Sequence, residues 1–329
     1  MLFIPHKHLY ISDASYIGSD EPDYKEVITD ANSRRRMGRL LKMAVWCGLK
    51  SLDGVSSERV AGIITSTGAG FMKDTISFGS TIFDREETLL NPSPFMQSTF
   101  NTASGYIALI RKIHAYNTTY VQQADGFAAS LVDAAMLLDD AGDGNVALVG
   151  AFDEVTPEID VIRQRLGLYR VGDGFLPLGE GAAAFLLSAA MPTDVSECYT
   201  GPLRESESAS ERGGESGSES SSEPLHEYGG TSSRSLNGTK DGNAALRFCG
   251  LANLSDLPKC AEDPIAELFG INAGVNVISC ADHVESLGAF RSLLPILLCK
   301  LISVQQIPDG YTAIVDDVNE NGVIVLLHK

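Results

Sequence analysis

The chain has 329 residues, 44% hydrophobic and 21% charged, enough to bury a large core in one big domain or two smaller ones. Its formal net charge of −18 excludes an extended nucleic-acid-binding face, because phosphate contacts need clustered cations. No apolar run approaches the roughly 20 residues of a membrane span, and six scattered cysteines without CxxC spacing exclude a zinc site or a disulfide framework.

Residues 1–18, MLFIPHKHLYISDASYIG, alternate like an edge strand and lack a basic region followed by an apolar core, so no signal peptide is read and a cytoplasmic location is expected. Arg34, Arg35, Arg36, Arg39 and Lys42 form a local basic patch at a helix start. Residues 59–70, RVAGIITSTGAG, read as an apolar strand ending in small residues. The TSTGAG end lacks the Gly-Lys-Ser/Thr of a phosphate cradle and reads as close strand-to-helix packing.

A helix over 102–116 and a strand over 118–123, TTYVQQ, lead to a tight stretch at Ala124, Asp125 and Gly126, then to a helix closed by Gly142. Such an elbow is a usual pedestal for a nucleophile, since a helix N-terminus stabilises negative charge. Neither Cys nor Ser stands there. Ser66, Thr67, Ser98 and Ser130 are weak replacements, because only His114 and His283 offer an imidazole in the ordered core. Two short apolar strands follow, NVALVGAFDEVTP and GEGAAAFLLSA. Asp153 and Glu154 read as a solvated strand end rather than as paired acids, and Gly179, Gly181 and the Ala182, Ala183, Ala184 run read as close-packing residues.

Residues 205–223, ESESASERGGESGSESSSE, carry six Glu and one Arg with no aromatic or β-branched residue, and cannot bury enough surface to offset chain entropy. This makes 197–243 an expected disordered insertion between a half at 1–196 and a shorter one at 244–329. Beyond it come a strand over 244–252, a short helix over 260–270, a strand over 276–280, one long helix over 283–302 and a hairpin joined through Asn321 and Gly322. Alternating strands and helices imply a layered α/β fold.

Six blocks in one order resemble the β-ketoacyl synthases of the thiolase fold: RRRMGRLLKMAV from Arg34, GIITSTGAGFMKDT from Gly62, NPSPFMQSTFNTASGYIAL from Asn91, YNTTYV from Tyr116, ALVGAFDEVTP from Ala147 and LPLGEGAAAFLL from Leu176. The resemblance is closer to the divergent synthase-like proteins of aryl-polyene and flexirubin-type pathways. It implies two pseudo-repeated βαβαβαββ halves in five layers, the C-terminal one shortened, and a dimer made through the strand before the elbow.

The resemblance also implies a catalytic cysteine at the elbow and two histidines. Here Gln123 or Ala124 occupies the nucleophile position, and neither can form a thioester; Gln123 is similar to the glutamine of chain-length factors in type II polyketide synthases. The loop of the first histidine, found by counting back from Phe269 and Gly270, falls on LANLSD at 251–256, without His. His283 matches the place of the second, and the glycine-rich loop between the final strands is replaced by DDVNENG.

The resemblance therefore implies a non-catalytic, chain-length-factor-like partner of an active β-ketoacyl synthase in polyene, fatty-acid or polyketide biosynthesis, a homo- or heterodimer that works with acyl carrier protein and holds no cofactor or metal. A divergent acyltransferase or malonyl-carrier decarboxylase using His283, and a structural or regulatory dimer, stay open as alternatives. Acyl carriers are acidic, so docking is expected on a basic partner or on the Arg34, Arg35, Arg36, Arg39, Lys42 patch.

Overall fold

The computed structural model describes residues 1–122, 125–189, 234–235, 245–319 and 321–329. In chain order the first elements are β1 (Leu2–Phe3), β2 (Leu9–Ile17), α1 (Ala31–Arg36), α2 (Arg39–Ser51), β3 (Val60–Ser66), α3 (Met72–Asp84), α4 (Pro92–Ser98) and α5 (Thr102–Arg111). Then come β4 (Tyr116–Tyr120), α6 (Asp125–Asp140), β5 (Val146–Asp153), α7 (Pro157–Leu166), β6 (Arg170–Val171), β7 (Gly174–Phe175) and β8 (Gly181–Ser188). The last are β9 (Arg234–Ser235), β10 (Leu246–Asn253), α8 (Pro264–Phe269), β11 (Val275–Ser279), α9 (Val284–Leu287), α10 (Leu293–Ser303), β12 (Tyr311–Val315) and β13 (Val323–His328). Apart from β9, the insertion expected at 197–243 lies outside the described residues.

β5 and β8 are buried at every position, so both of their faces need cover. Alternation along the strands divides the side chains: Val149, Ala151, Phe185 and Leu187 enter a central core, while Leu148, Phe152, Ala184 and Leu186 enter an outer one. In the C-terminal half, Val323, Val325 and Leu327 of β13 face the same central core, and Ile324 and Leu326 face a third, smaller cluster. α6 and α10 fill the space between the N-terminal and C-terminal arms of one continuous sheet, α2 and α5 cover the outside of the first arm, and α8 covers the second. α10 is buried at every position except Lys300, as a helix in a central layer must be. The result is the expected thiolase-like stack of five layers.

The strand order is β11-β12-β13-β10-β2-β8-β5-β3-β4. In the N-terminal half β4, β3 and β5 run parallel, and β8 is antiparallel to β5 and β2. The C-terminal half repeats this with β11 parallel to β12, and β13 antiparallel to β12 and β10. By this symmetry β10 is the counterpart of β2, the opening strand of its half. Among the described residues the shorter half shows no counterpart of a second outer parallel strand, having only β11 beside β12 where the N-terminal half has β3 and β4 beside β5.

Three other expectations change. β2 is not an edge strand; it lies mid-sheet, paired with β8 on one side and with β10 and β9 on the other. The long helix expected over 283–302 is broken between α9 and α10, where Gly288 takes φ +78° and a Cβ would fall 2.3 Å from the Gly179 nitrogen. The final hairpin forms, but over the loop 316–322; Gly322 serves a close approach, its would-be Cβ 2.3 Å from the Asp316 carbonyl oxygen, and not a positive φ.

Local signals explain several ends. Thr156 caps α7 by accepting from the Ile159 N–H at 3.2 Å, with Pro157 in the first turn, and Gly167 closes it in the left-handed region. Asp263, Pro264 and Gly270 do the same for α8. Among the described residues no helix is long and apolar enough to cross a membrane.

Candidate functional site

Asp125 and Gly126 open α6, which follows β4 in the chain. One face of α6, with Phe127, Leu131, Ala134, Ala135 and Leu138, enters the central core. Its other face, with Ala129, Val132, Asp133 and Met136, walls a cleft of about 1000 Å³. The opposite wall comes from the C-terminal half: Asn253 at the end of β10, Leu254 and Ser255 after it, and Asp317, Asn319, Asn321 and Gly322 between β12 and β13. Asn321 Nδ2 donates to Asp125 Oδ2 at 3.1 Å, linking the two walls at the first turn of α6.

The structure thus brings the elbow, the LANLSD loop and the DDVNENG loop together, although β10 corresponds by topology to β2. Gln123 and Ala124 lie outside the described residues. The described lining of the cleft holds carboxylates, amides, Ser255 and Tyr120, with no side-chain thiol or imidazole among them. Burial, reinforced by Asp133, pushes the Tyr120 hydroxyl up to about 12, so it stays protonated and is a poor base at neutral pH. This constellation can hydrogen-bond a polar ligand, but it has none of the nucleophile-and-base pairing that acyl transfer uses.

His283 ends a short 3₁₀ turn between β11 and α9; it is half-buried, and it is not among the residues lining the cleft. His114 is exposed between α5 and β4. The candidate hydroxyls are spoken for: Ser130 Oγ donates to the Phe127 carbonyl at 2.7 Å, Ser98 Oγ to the Phe95 carbonyl at 2.8 Å, and Thr67 Oγ1 to Asp153 at 3.0 Å. Ser66 Oγ points to the Gly150 carbonyl at 3.4 Å.

Asp153 departs from the sequence reading. It is buried, not solvated, and accepts from Thr67 Oγ1, the Gly68 N–H (2.9 Å), the Ala69 N–H (3.1 Å) and Ser292 Oγ (2.6 Å). Burial raises its pKa against the pull of those donors. One carboxylate therefore ties the TSTGAG loop and β5 to the start of α10. Glu154 accepts from the Lys73 N–H at 2.8 Å.

A second node joins the halves and has no counterpart in the sequence reading. Asn319, buried, donates to the Phe290 carbonyl (3.2 Å) and to Asp316 Oδ2 (2.8 Å), and its Oδ1 accepts from the Tyr169 hydroxyl (2.8 Å). The only sequence signal for it is the run of turn-forming Asp and Asn residues in DDVNENG. Near it Ala289 N–H donates to the Pro177 carbonyl at 2.7 Å, and Leu178 bridges to Ala289, so the Gly179 and Gly288 backbones cross in contact.

The basic patch is partly neutralised. Arg34 caps the Ile28 and Thr29 carbonyls, and Arg39 pairs with Glu21 and Glu180, leaving Arg35 and Arg36 exposed. Cys47, Cys249, Cys260, Cys280 and Cys299 are free thiols, and Cys198 lies outside the described residues.

No curated protein sequence matches the chain. Among solved structures, one described as the ishigamide ketosynthase/chain length factor is 13% identical, with a TM-score of 0.62 over 97% of this chain and 98% of that one. A β-ketoacyl synthase from Burkholderia phymatum STM815 is 10% identical, with a TM-score of 0.61 over 98% of each chain. A type II polyketide synthase acyl-carrier protein in complex with its ketosynthase, AntDE:AntF, is 14% identical, with a TM-score of 0.59 over 98% of this chain and 99% of that one. At such identities these likenesses speak for the fold. The family described as Beta-ketoacyl synthase, N-terminal domain, matches residues 14–226. With the five layers, the elbow and that match, the chain belongs to the β-ketoacyl synthase family.

Proposed function

We propose that the chain is a non-catalytic ketosynthase homologue that pairs, as a chain-length factor does, with a cysteine-bearing β-ketoacyl synthase of a polyene, fatty-acid or polyketide pathway. The observation that carries this reading is the free edge of the sheet beside the elbow. Among the described residues β4 pairs only with β3, so one side of it presents unpaired backbone groups, a template for another strand. Large apolar side chains stand exposed around it: Leu109 at 73% and Ile110 on α5, Met136 at 59% on α6, with Tyr116 and Val121 at the strand's ends. Exposed apolar groups clustered on a free edge fit a subunit interface. Phe95 and Met96 of α4 extend the exposed apolar surface.

Gln123 or Ala124 at the elbow supports the non-catalytic part of the reading, since neither forms a thioester. The match to a structure described as a ketosynthase/chain length factor supports the pairing part. Carrier protein then docks on the partner or on exposed Arg35 and Arg36.

The test is co-expression with cysteine-bearing synthases from the same genome. Co-purification is expected with one of them, and Leu109→Asp with Met136→Asp should abolish it without unfolding the chain, both positions being exposed. A homodimer indifferent to every such synthase sinks the reading. Malonyl-carrier decarboxylation by the isolated chain, lost in His283→Ala, would favour the enzymatic reading instead.

A further inference from the structure

We propose that the cavity of about 420 Å³ between the segment after α7 and the start of α10 binds a carboxylate carried on an apolar body, with Arg291 as its anchor. This goes beyond the pairing reading and is independent of it.

Seven arginines among the described residues are half-buried. Six of them use their guanidinium: Arg34 on the Ile28 and Thr29 carbonyls, Arg39 on two glutamates, Arg59 on the Gly144 carbonyl, Arg111 on the Val55 carbonyl, Arg163 on Asp160 and Leu176, and Arg247 on His8. Arg291 is the seventh, and among the described residues it has neither an ion pair nor a hydrogen-bond acceptor. Its guanidinium carbon instead stands 5.8 Å from the centroid of the Tyr169 ring. A partly desolvated guanidinium that faces a cavity and pairs with no carboxylate, the Asp317 of the lining being held instead by Ser279 and the Ala281 N–H, is a binding group in want of a ligand, because burial without a charge partner is unfavourable.

The surroundings hold Arg291 in place. Its stem packs on Gly68, where an added Cβ would fall 2.4 Å from the Arg291 Cγ. Tyr169 takes φ +58°, a conformation uncommon outside glycine, and its hydroxyl is fixed on Asn319. Asn319 also holds the carbonyl of Phe290, the residue before Arg291. A single amide thus positions both the ring and the start of the arginine.

The chemistry of the lining selects the ligand. Leu168, Leu176, Val284 and Val318 supply apolar walls. A guanidinium fork matches the two oxygens of a carboxylate. Asp317 also lines the cavity; its oxygens accept from Ser279 Oγ at 2.6 Å and the Ala281 N–H at 2.9 Å, but its charge remains and disfavours a dianion. Arg170, the other cation of the lining, is exposed and donates to the Gly172 carbonyl at 3.2 Å. One free cation beside one fixed anion suits a monoanionic carboxylate better than a phosphate.

Calorimetric titration of the full chain with octanoate, with octanamide as the neutral isostere, tests this. Octanoate is expected to bind about tenfold tighter than octanamide, a difference that reads directly as the charge contribution. Arg291→Met, which keeps the stem that packs on Gly68, should bring the two ligands together, while Arg291→Lys keeps part of the preference. Equal binding of both ligands by the unmodified chain would overturn the proposal, and that comparison needs no variant to fold. An unchanged preference in Arg291→Met would overturn it too, and displacement of octanoate by inorganic phosphate would identify a phosphate site instead.

Discussion

The two halves share a strand order but differ in how they are covered. The outer core of the N-terminal arm of the sheet contains 25 buried hydrophobic residues under α2 and α5, whereas the outer cluster of the C-terminal arm contains five: Ile265, Ala313, Val315, Ile324 and Leu326. β4 and the helices α3, α4 and α5 leading to it have no counterpart in the shorter half among the described residues. That half is therefore held mainly from its inner side, through α10 on β2 and β8, the pairing of β10 with β2, and the Gly179 and Gly288 crossing. The lesson is one of dependence: the C-terminal arm of the sheet folds on the N-terminal one, and the chain should unfold in one cooperative step.

The largest expected effect comes from separating the halves at their closest approach. Gly179→Ala would place a Cβ 2.0 Å from the Leu287 carbonyl oxygen, and Gly288→Ala adds a strained φ to a backbone clash. Neither obstacle is a side chain that can swing aside. Each variant should cost about 5 kcal/mol or more, enough to lose the folded state at ordinary temperatures. Circular dichroism melting checks this, and near-native melting of either variant would show that the crossing is not what joins the halves.

Next come the cores. Phe185→Ala opens the central layer beneath both arms of the sheet and should cost about 3 to 5 kcal/mol. Ile324→Ala, in the five-residue outer cluster, belongs near the low end of the range for its type, about 2 kcal/mol, because a thinly covered site can relax. Urea unfolding of the two variants tests the ordering, and a larger loss from Ile324→Ala would reverse the asymmetry.

Much of the fold is legible in the sequence because its causes are local. Thr156 with Pro157, and Pro264 with Gly270, announce helix ends, and the apolar runs of β5 and β8 announce strands covered on both faces. What escapes such a reading depends on remote partners. β2 alternates as an edge strand does, and only β8 and β10 make it central. The apolar spacing of Leu287, Phe290 and Leu293 continues through the break at Gly288, which is imposed by Gly179 on another segment. Asp153 reads as solvated because its four donors come from two distant stretches. The elbow is readable as a change of period; Tyr169, Asn319 and Arg291 are not, since no local pattern brings them together.

Strand β2, which carries the junction with β10, is itself sensitive to pH. Asp13 lies on β2 beside a register irregularity against β8, and burial raises its pKa from 3.8 to about 7, with only partial relief from the Ala14 N–H and Lys50. Below about pH 4 the group is protonated both folded and unfolded and contributes no difference. Between about pH 4 and 7 the folded chain holds the proton more tightly, so stability falls as pH rises through this window and then levels off. Each tenfold difference in proton affinity between the folded and unfolded chain corresponds to about 1.4 kcal/mol; as Asp13 keeps some solvent contact, a loss of about 2 kcal/mol is expected. Asp13→Asn should remove that part of the pH dependence, leaving the variant more stable than the parent at pH 8 and equal to it near pH 4. Parallel curves for the two proteins would mean that β2 tolerates the ionised carboxylate.

The smallest effect on stability belongs to the outermost charges of the well-covered half, where a functional consequence stands apart from a structural one. Arg35 and Arg36 are exposed at the end of α1, and reversing both to Glu should change stability by no more than about 0.5 kcal/mol. On a chain of net charge −18 they are adjacent exposed cations that can meet an acidic carrier protein. Carrier association measured at low ionic strength should fall in Arg35→Glu with Arg36→Glu, and the difference should shrink as salt screens it over about 10 Å at 0.1 M. Unchanged carrier association would shift docking to the partner subunit, and the N-terminal half would then serve pairing through β4 while the partner receives the substrate.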